Sequence, residues 1–187
     1  KSNLEVAIKA SLHAGKEIIR IYNDTKTDLE LELKTDDSPL TVADRNANEV
    51  ILSYLSQTSL PVLSEEGGEI PYEVRKDWAL FWMVDPLDGT KDFLRRNGEF
   101  TVNIALISNR EPVLGVIYIP DRQVLYFAEK GSGAFKITDV VWDDAADWNK
   151  LLLRAVKLPL PMYREGVIVA SSRSYVNVHV AAFVDNL

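Results

Sequence analysis

Leu4, Ile8, Leu12, Ile18, Ile19 and Tyr22 recur at the spacing of one helical face, which predicts an amphipathic helix over residues 4–22. Leu29-Glu30-Leu31-Glu32-Leu33 alternates strictly, the pattern of a strand with one wet face. Ser38-Pro39-Leu40-Thr41 opens a second helix, whose apolar face of Ala43, Ala47, Val50, Ile51, Tyr54 and Leu55 runs to about Ser56. Two apolar runs follow. Pro61-Val62-Leu63 is a short strand leading into Ser64-Glu65-Glu66-Gly67-Gly68. Leu80-Phe81-Trp82-Met83-Val84 is continuous enough for a buried strand, and it delivers the chain to Asp85. Apolar stretches at 100–107, 113–119 and 124–128 are separated by the polar turn clusters Asn109-Arg110-Glu111-Pro112 and Pro120-Asp121-Arg122-Gln123, which predicts an antiparallel meander. Gly131-Ser132-Gly133 turns the chain into a fourth short strand at 134–137. Residues 143–157 suggest a helix and 166–170 a further buried strand. The order implies helices layered on antiparallel sheet.

The chain has 187 residues, 47% hydrophobic and 26% charged, ordinary values for a globular domain, and a single domain over 1–187 is expected. No apolar run approaches the roughly 18 residues of a membrane-spanning helix. There is no cysteine, which excludes disulfides, thiolate metal sites and a Cys nucleophile and fits a cytoplasmic location. With only His13 and His179, a zinc centre of the usual His/Cys kind is nearly excluded. The net charge of −7, without a basic patch, argues against nucleic acid as a partner. For an acidic protein to act on an anionic substrate, a divalent cation is the natural intermediary.

The richest stretch in chemistry is Asp85-Pro86-Leu87-Asp88-Gly89-Thr90. Two carboxylates bracketing a Pro turn at a strand end can converge on one point. Together with a backbone carbonyl, they are the oxygen donors that Mg²⁺ takes. Gly89 permits close backbone approach, and a helix beginning at Thr90 would offer N–H groups to a phosphate oxygen. Taken alone, the spacing fits a turn with Asp side chains capping local N–H groups equally well. Its company shifts the balance. Glu65-Glu66, by itself a solvated acidic turn, also follows a short buried strand, and Asp44 lies on the second helix. Two adjacent strands ending in carboxylates would gather like charges that a cation must neutralise.

Asp44, Glu65-Glu66 and Asp85–Thr90 resemble, in order, the first three elements of the signature of lithium-sensitive phosphatases, the inositol monophosphatase-like superfamily. Ser38-Pro39-Leu40-Thr41-Val42-Ala43-Asp44 and the stretch from Lys91-Asp92-Phe93-Leu94 to Val102-Asn103-Ile104-Ala105-Leu106 are similar to the bacterial 3′(2′),5′-bisphosphate nucleotidase branch. The resemblance implies a mixed α/β (α+β) fold, a layered α-β-α-β sandwich of the sugar/inositol phosphatase type. It implies hydrolysis of adenosine 3′,5′-bisphosphate to AMP and phosphate by cation-activated water, with two or three Mg²⁺ ions. Glu65, Asp85, Asp88 and the Leu87 carbonyl would be ligands. Thr90 and Asp44 would orient the attacking water while Glu65 assists proton removal. The Gly89 and Thr90 amides would meet phosphate oxygens. Ser172 and Tyr175, in Ser172-Arg173-Ser174-Tyr175, would inherit nucleotide contacts, although Tyr175 stands where the family usually has His. The alternatives are an inositol or sugar phosphate phosphatase of the same superfamily, or a non-catalytic metal-binding fragment.

Trp142-Asp143-Asp144-Ala145-Ala146-Asp147 mimics the family's fourth element but precedes the strand that element should follow, so a helix start with Asp near its positive end explains it better. On this reading the true fourth element, with its last metal ligand and much of the nucleotide pocket, would fall after Leu187. Lys91, Arg95 and Arg96 could contact the second phosphate of a bisphosphate or be solvated loop charges. His13 is expected at the boundary of the apolar stripe, and Trp78 and Trp82 in the core.

Overall fold

A computed structural model describes residues 2–24, 32–33, 39–140, 147–160 and 182–183. The expected strand at 166–170, together with Ser172 and Tyr175, lies outside these residues.

The first helix, α1 (Asn3–Asn23), begins where the Ser2 hydroxyl accepts from the Glu5 amide at 3.1 Å. Its buried face mixes large and small residues, Ile8, Leu12, Ile18 and Ile21 with Ala7, Ala10, Ala14 and Gly15. Each large side chain taken from water contributes about 1.5–3 kcal/mol. The small ones let neighbouring elements approach. Two two-residue strands, β1 (Glu32–Leu33) and β2 (Pro39–Leu40), pair antiparallel ahead of α2 (Val42–Leu55). Of the strand expected over 29–33, Glu32 and Leu33 are strand and the rest is outside the described residues.

The main sheet has seven strands in sequence order: β3 (Val62–Ser64), β4 (Leu80–Asp88), β5 (Thr101–Ser108), β6 (Glu111–Ile119), β7 (Val124–Glu129), β8 (Gly133–Ile137) and β9 (Val156–Lys157). The meander is antiparallel as expected. The exception is β3, which runs parallel to β4, with Val62 opposite Trp82 and Ser64 opposite Val84. Helices α1 and α2 pack on each other and cover one face, α1 over β5 and β6, α2 over β4. Trp82 is fully buried, and its indole N–H donates to the Thr58 hydroxyl at 2.9 Å, tying the 3-10 turn that follows α2 to β4. The Gly131-Ser132-Gly133 turn makes the β7–β8 hairpin, with Gly131 and Gly133 at φ 90° and 103°.

Two expectations are corrected. The helix over 143–157 is, among the described residues, only α5 (Trp148–Leu152), started by Asp147, whose carboxylate accepts from the Asn149 and Lys150 amides at 2.9 and 3.4 Å. Val156 and Lys157 instead pair with Lys136 and Phe135 as an edge strand, because the open side of β8 offers backbone partners that a frayed helix end lacks. The second correction concerns β4, which does not end at Asp85 but continues to Asp88.

Gly15 makes the helix-to-sheet contact tight. A Cβ there would lie 2.4 Å from the Tyr118 ring and 3.1 Å from Pro120. Alanine normally gains about 1 kcal/mol over glycine inside a helix. Here overpacking, about 1–3 kcal/mol, outweighs that gain. Gly15→Ala is therefore expected to lower the thermal midpoint, and a raised midpoint would show that Tyr118 yields freely.

Candidate active site

The site is built by register. Val84 accepts the Glu65 amide at 3.0 Å, one step past the parallel β3–β4 pairs, so Glu65 leaves β3 beside Asp85. From α2, Asn48 holds that exit, accepting from the Ser64 hydroxyl at 2.7 Å and donating to the Glu66 carbonyl at 3.4 Å.

Asp85 and Asp88 are three residues apart, and in a regular strand they would face opposite sides of the sheet. The β4–β5 register shifts between them: Asp85 is opposite Asn103, but Asp88 is opposite Thr101. One extra residue sits in β4, a bulge that restores parity. Pro86, which has no N–H to donate, suits it. Burial records the result. Trp82, Val84, Pro86 and Leu87 are buried on the helix side, while Met83, Asp85 and Asp88 turn the other way. Glu65, Asp85 and Asp88 line one open cleft of 1020 Å³, with Thr101 and Asn103 beside them and Met83, Ala105 and Ile117 forming an apolar floor.

Asp85 is the electrostatic centre. Burial, then the charges of Glu65 and Asp88, then a hydrogen bond shared with Glu65 push its pKa up to about 7, against a smaller opposing effect of the Leu87 amide. Asp88 accepts from the Asn103 side-chain amide at 3.2 Å, and Asn103 in turn accepts from the Thr101 hydroxyl at 3.2 Å.

Asp44 and Thr90 meet on the helix side of this loop. Thr90 follows Gly89 and begins α4 (Thr90–Leu94). Its hydroxyl lies 3.1 Å from Asp44 Oδ1 and 3.3 Å from the Leu87 carbonyl, so one proton is shared between two acceptors. The other Asp44 oxygen accepts from the Thr41 amide at 2.8 Å and the Thr41 hydroxyl at 2.6 Å, a capping box at the start of α2. Asp44 is 1% exposed, and burial raises its pKa against the pull of Thr41 and Thr90. Its side-chain link to the Asp85–Thr90 loop is the hydrogen bond from Thr90. Gly89 has φ 96°, and a Cβ there would meet the Glu99 carbonyl at 2.7 Å, so only glycine fits the turn.

The structure thus gathers Glu65, Asp85 and Asp88, and separately Asp44, Thr90 and Leu87. Thr41, Asn48 and Asn103 are positioning residues that the sequence pattern did not reveal. Thr41 in Thr41-Val42-Ala43-Asp44 carried the capping signal that could have named it. Asn103 had no signal, because its partner lies across the sheet.

As the side chains stand, no three His, Cys, Asp or Glu among the described residues form a group that could hold a metal ion. Glu65 and Asp85 share a hydrogen bond, and Asp88 is turned to Asn103. The donor chemistry nevertheless fits a hard cation: carboxylates and a backbone carbonyl, with a like-charge strain that one cation would relieve.

That strain has a measurable sign. The folded pKa of Asp85, about 7, exceeds the ordinary 3.8, so between these values the folded state binds the extra proton. Stability falls as pH rises through that window, and the full cost is in place above it. Without divalent cation, Asp85→Asn should raise the midpoint at pH 8, by about 2–4 °C per kcal/mol relieved in a chain of this size, and change it little at pH 4. Added Mg²⁺ is expected to stabilise the parent at pH 8, and to do so less in the variant. A variant no more stable than its parent at pH 8 would overturn the repulsion argument.

Comparison with known proteins agrees with this architecture. The 3′(2′),5′-bisphosphate nucleotidase CysQ of Salmonella typhimurium is 49% identical over 130 residues, 68% of this chain and 52% of that protein. The Escherichia coli K12 protein of the same name is 37% identical over 187 residues, 98% of this chain and 69% of that protein. The crystal structure of CysQ from Bacteroides thetaiotaomicron, a bacterial member of the inositol monophosphatase family, superposes with a TM-score of 0.85 at 45% identity, covering 98% of this chain and 67% of that one. The chain therefore spans between about half and about two thirds of the length of these relatives. The inositol monophosphatase family profile matches residues 1–173, and the chain belongs to that family.

Proposed function

We propose that this chain carries the catalytic centre of a magnesium-dependent phosphomonoesterase that hydrolyses adenosine 3′,5′-bisphosphate to AMP and phosphate. The observation behind it is the convergence of Glu65, Asp85 and Asp88 in one cleft through the parallel register and the β4 bulge. The similarity to bisphosphate nucleotidases supports the substrate.

Glu65, Asp85, Asp88 and the Leu87 carbonyl are the proposed donors to Mg²⁺. The ion supplies Lewis-acid charge that acidifies water and steadies negative charge on oxygen. The protein's own groups do the rest. Because the Thr90 hydroxyl proton is directed to Asp44 and Leu87, its oxygen lone pair is left to accept a proton of the attacking water. Buried Asp44 holds Thr90 in that sense without touching substrate. Exposed Glu65 takes the water's proton as its oxygen attacks phosphorus. The ester P–O bond then breaks with its electron pair going to the departing oxygen, which takes a proton from solvent water and leaves as the nucleoside hydroxyl. Gly89 and Thr90 amides are assigned to phosphate oxygens, and Ser172 and Tyr175 to the nucleotide.

Phosphate release from adenosine 3′,5′-bisphosphate is expected with Mg²⁺ and absent with EDTA. Thr90→Ala is expected to lower kcat at least about 100-fold, whereas Thr90→Ser retains most of it. Full-length protein that spares this substrate but cleaves inositol monophosphate would place the activity elsewhere in the superfamily.

A further inference from the structure

The cleft is strongly unbalanced in charge. Glu65, Glu69, Asp85 and Asp88 line it, and among the described lining residues Arg75 alone is cationic. Arg75 ends a short helix, α3 (Tyr72–Arg75), within the excursion between β3 and β4. Its amide donates to the Pro71 carbonyl at 3.2 Å, and its carbonyl accepts from the Trp78 amide at 3.2 Å, so its backbone is held on both sides. The residue is exposed and stands between this cleft and a smaller neighbouring one lined by Tyr72 and Trp78, with its guanidinium 5.7 Å from the Tyr72 ring centre. Among the described residues no carboxylate holds it.

The basic residues that follow the acidic loop are placed differently. Neither Lys91, Arg95 nor Arg96 lines the cleft. Arg96 donates to the Tyr22 carbonyl and stands over the Tyr22 ring at 5.3 Å, fixing the end of α1 instead.

We propose that Arg75 is the specificity-determining residue that binds the non-reacting phosphate of a bisphosphate substrate. This rests on the nucleotidase reading above. The reacting phosphate belongs at the carboxylate centre with its cation. With the cation committed to the reacting phosphate, Arg75 is the positive group that the described lining offers to a second one. A guanidinium presents paired donors that match phosphate oxygens, and one not engaged by a carboxylate is available to do so.

The test compares full-length parent protein with Arg75→Ala and Arg75→Lys on adenosine 3′,5′-bisphosphate and adenosine 3′-monophosphate. For the bisphosphate, Arg75→Ala should raise KM about 10- to 100-fold, the range of a lost charged hydrogen-bond pair, with kcat within about threefold. The bisphosphate-to-monophosphate ratio of kcat/KM should fall at least tenfold, with Arg75→Lys in between. The parent's bisphosphate KM should rise with salt, and that slope should flatten in Arg75→Ala. An unchanged bisphosphate KM, or an equal loss on both substrates, overturns the assignment of Arg75 while leaving the nucleotidase reading intact. A parent protein that does not cleave the bisphosphate removes that reading and this inference together.

Discussion

The site depends on one extra residue in β4. Strands alternate with a period of two, so two aspartates an odd number apart cannot share a face unless the chain gains or loses a residue between them. The shift from Asp85 opposite Asn103 to Asp88 opposite Thr101 supplies that residue. Other features follow from it. Asn103 becomes the neighbour that orients Asp88, and Leu87 turns inward with its carbonyl near Thr90. The chain leaves the strand through Gly89, where the approach of the Glu99 backbone leaves no room for a side chain. Pro86 tolerates the irregularity because it has no ladder hydrogen bond to lose.

Two carboxylates near this bulge carry raised pKa values with burial as the first cause of both, and they differ in how their surroundings answer it. For Asp44 the cause is burial, answered by donors from Thr41 and Thr90. Such a group is satisfied in place, and it closes the capping box of α2 while fixing the Thr90 hydroxyl. For Asp85 burial is compounded by Glu65 and Asp88. Its surroundings oppose the charged form, so the unliganded fold is destabilised by the same arrangement that makes the cleft attractive to a cation. Sites commonly hold strain of this sort against the stability of their scaffold.

What the sequence made legible was local. The α1 and α2 faces and the β5–β7 meander are periodicities within single segments, and they fold as the pattern predicts. The β3–β4 parallel pairing is not local. Nothing in Val62-Leu63-Ser64 states which strand it will join or in which direction. The bulge was hidden for a related reason, because Asp85-Pro86-Leu87-Asp88 resembles a strand-ending turn until its partner strand shows the register continuing. The helix expected over 143–157 stops short of its predicted end for a third reason. Its composition favours helix, but the edge of β8 competes for Val156 and Lys157 and wins. Within the site, Asp44, Glu65, Asp85, Asp88 and Thr90 were nameable from motif order. Arg75 was not, since Tyr72-Glu73-Val74-Arg75 carries no periodicity and only the cleft relates it to Asp85.

A cation held by carboxylates recognises the phosphate group and little else, because every phosphate ester presents the same oxygens to it. Fold and metal centre can therefore be shared by enzymes with different substrates, and specificity must be set by groups that touch the remainder of the molecule. On the proposed mechanism those groups cannot come from the bulge, whose side chains are assigned to the reacting phosphate and its cation. They must come from segments that reach the cleft without belonging to the catalytic loops. The excursion between β3 and β4 is one such segment: it begins at Glu65 and returns at Leu80, and it contributes Arg75, the one cationic residue among the described residues lining the cleft. Within a strand a change of residue alters the packing on two faces. Within an exposed excursion it alters little beyond the ligand, so substrate preference can shift there while the carboxylate geometry stays fixed.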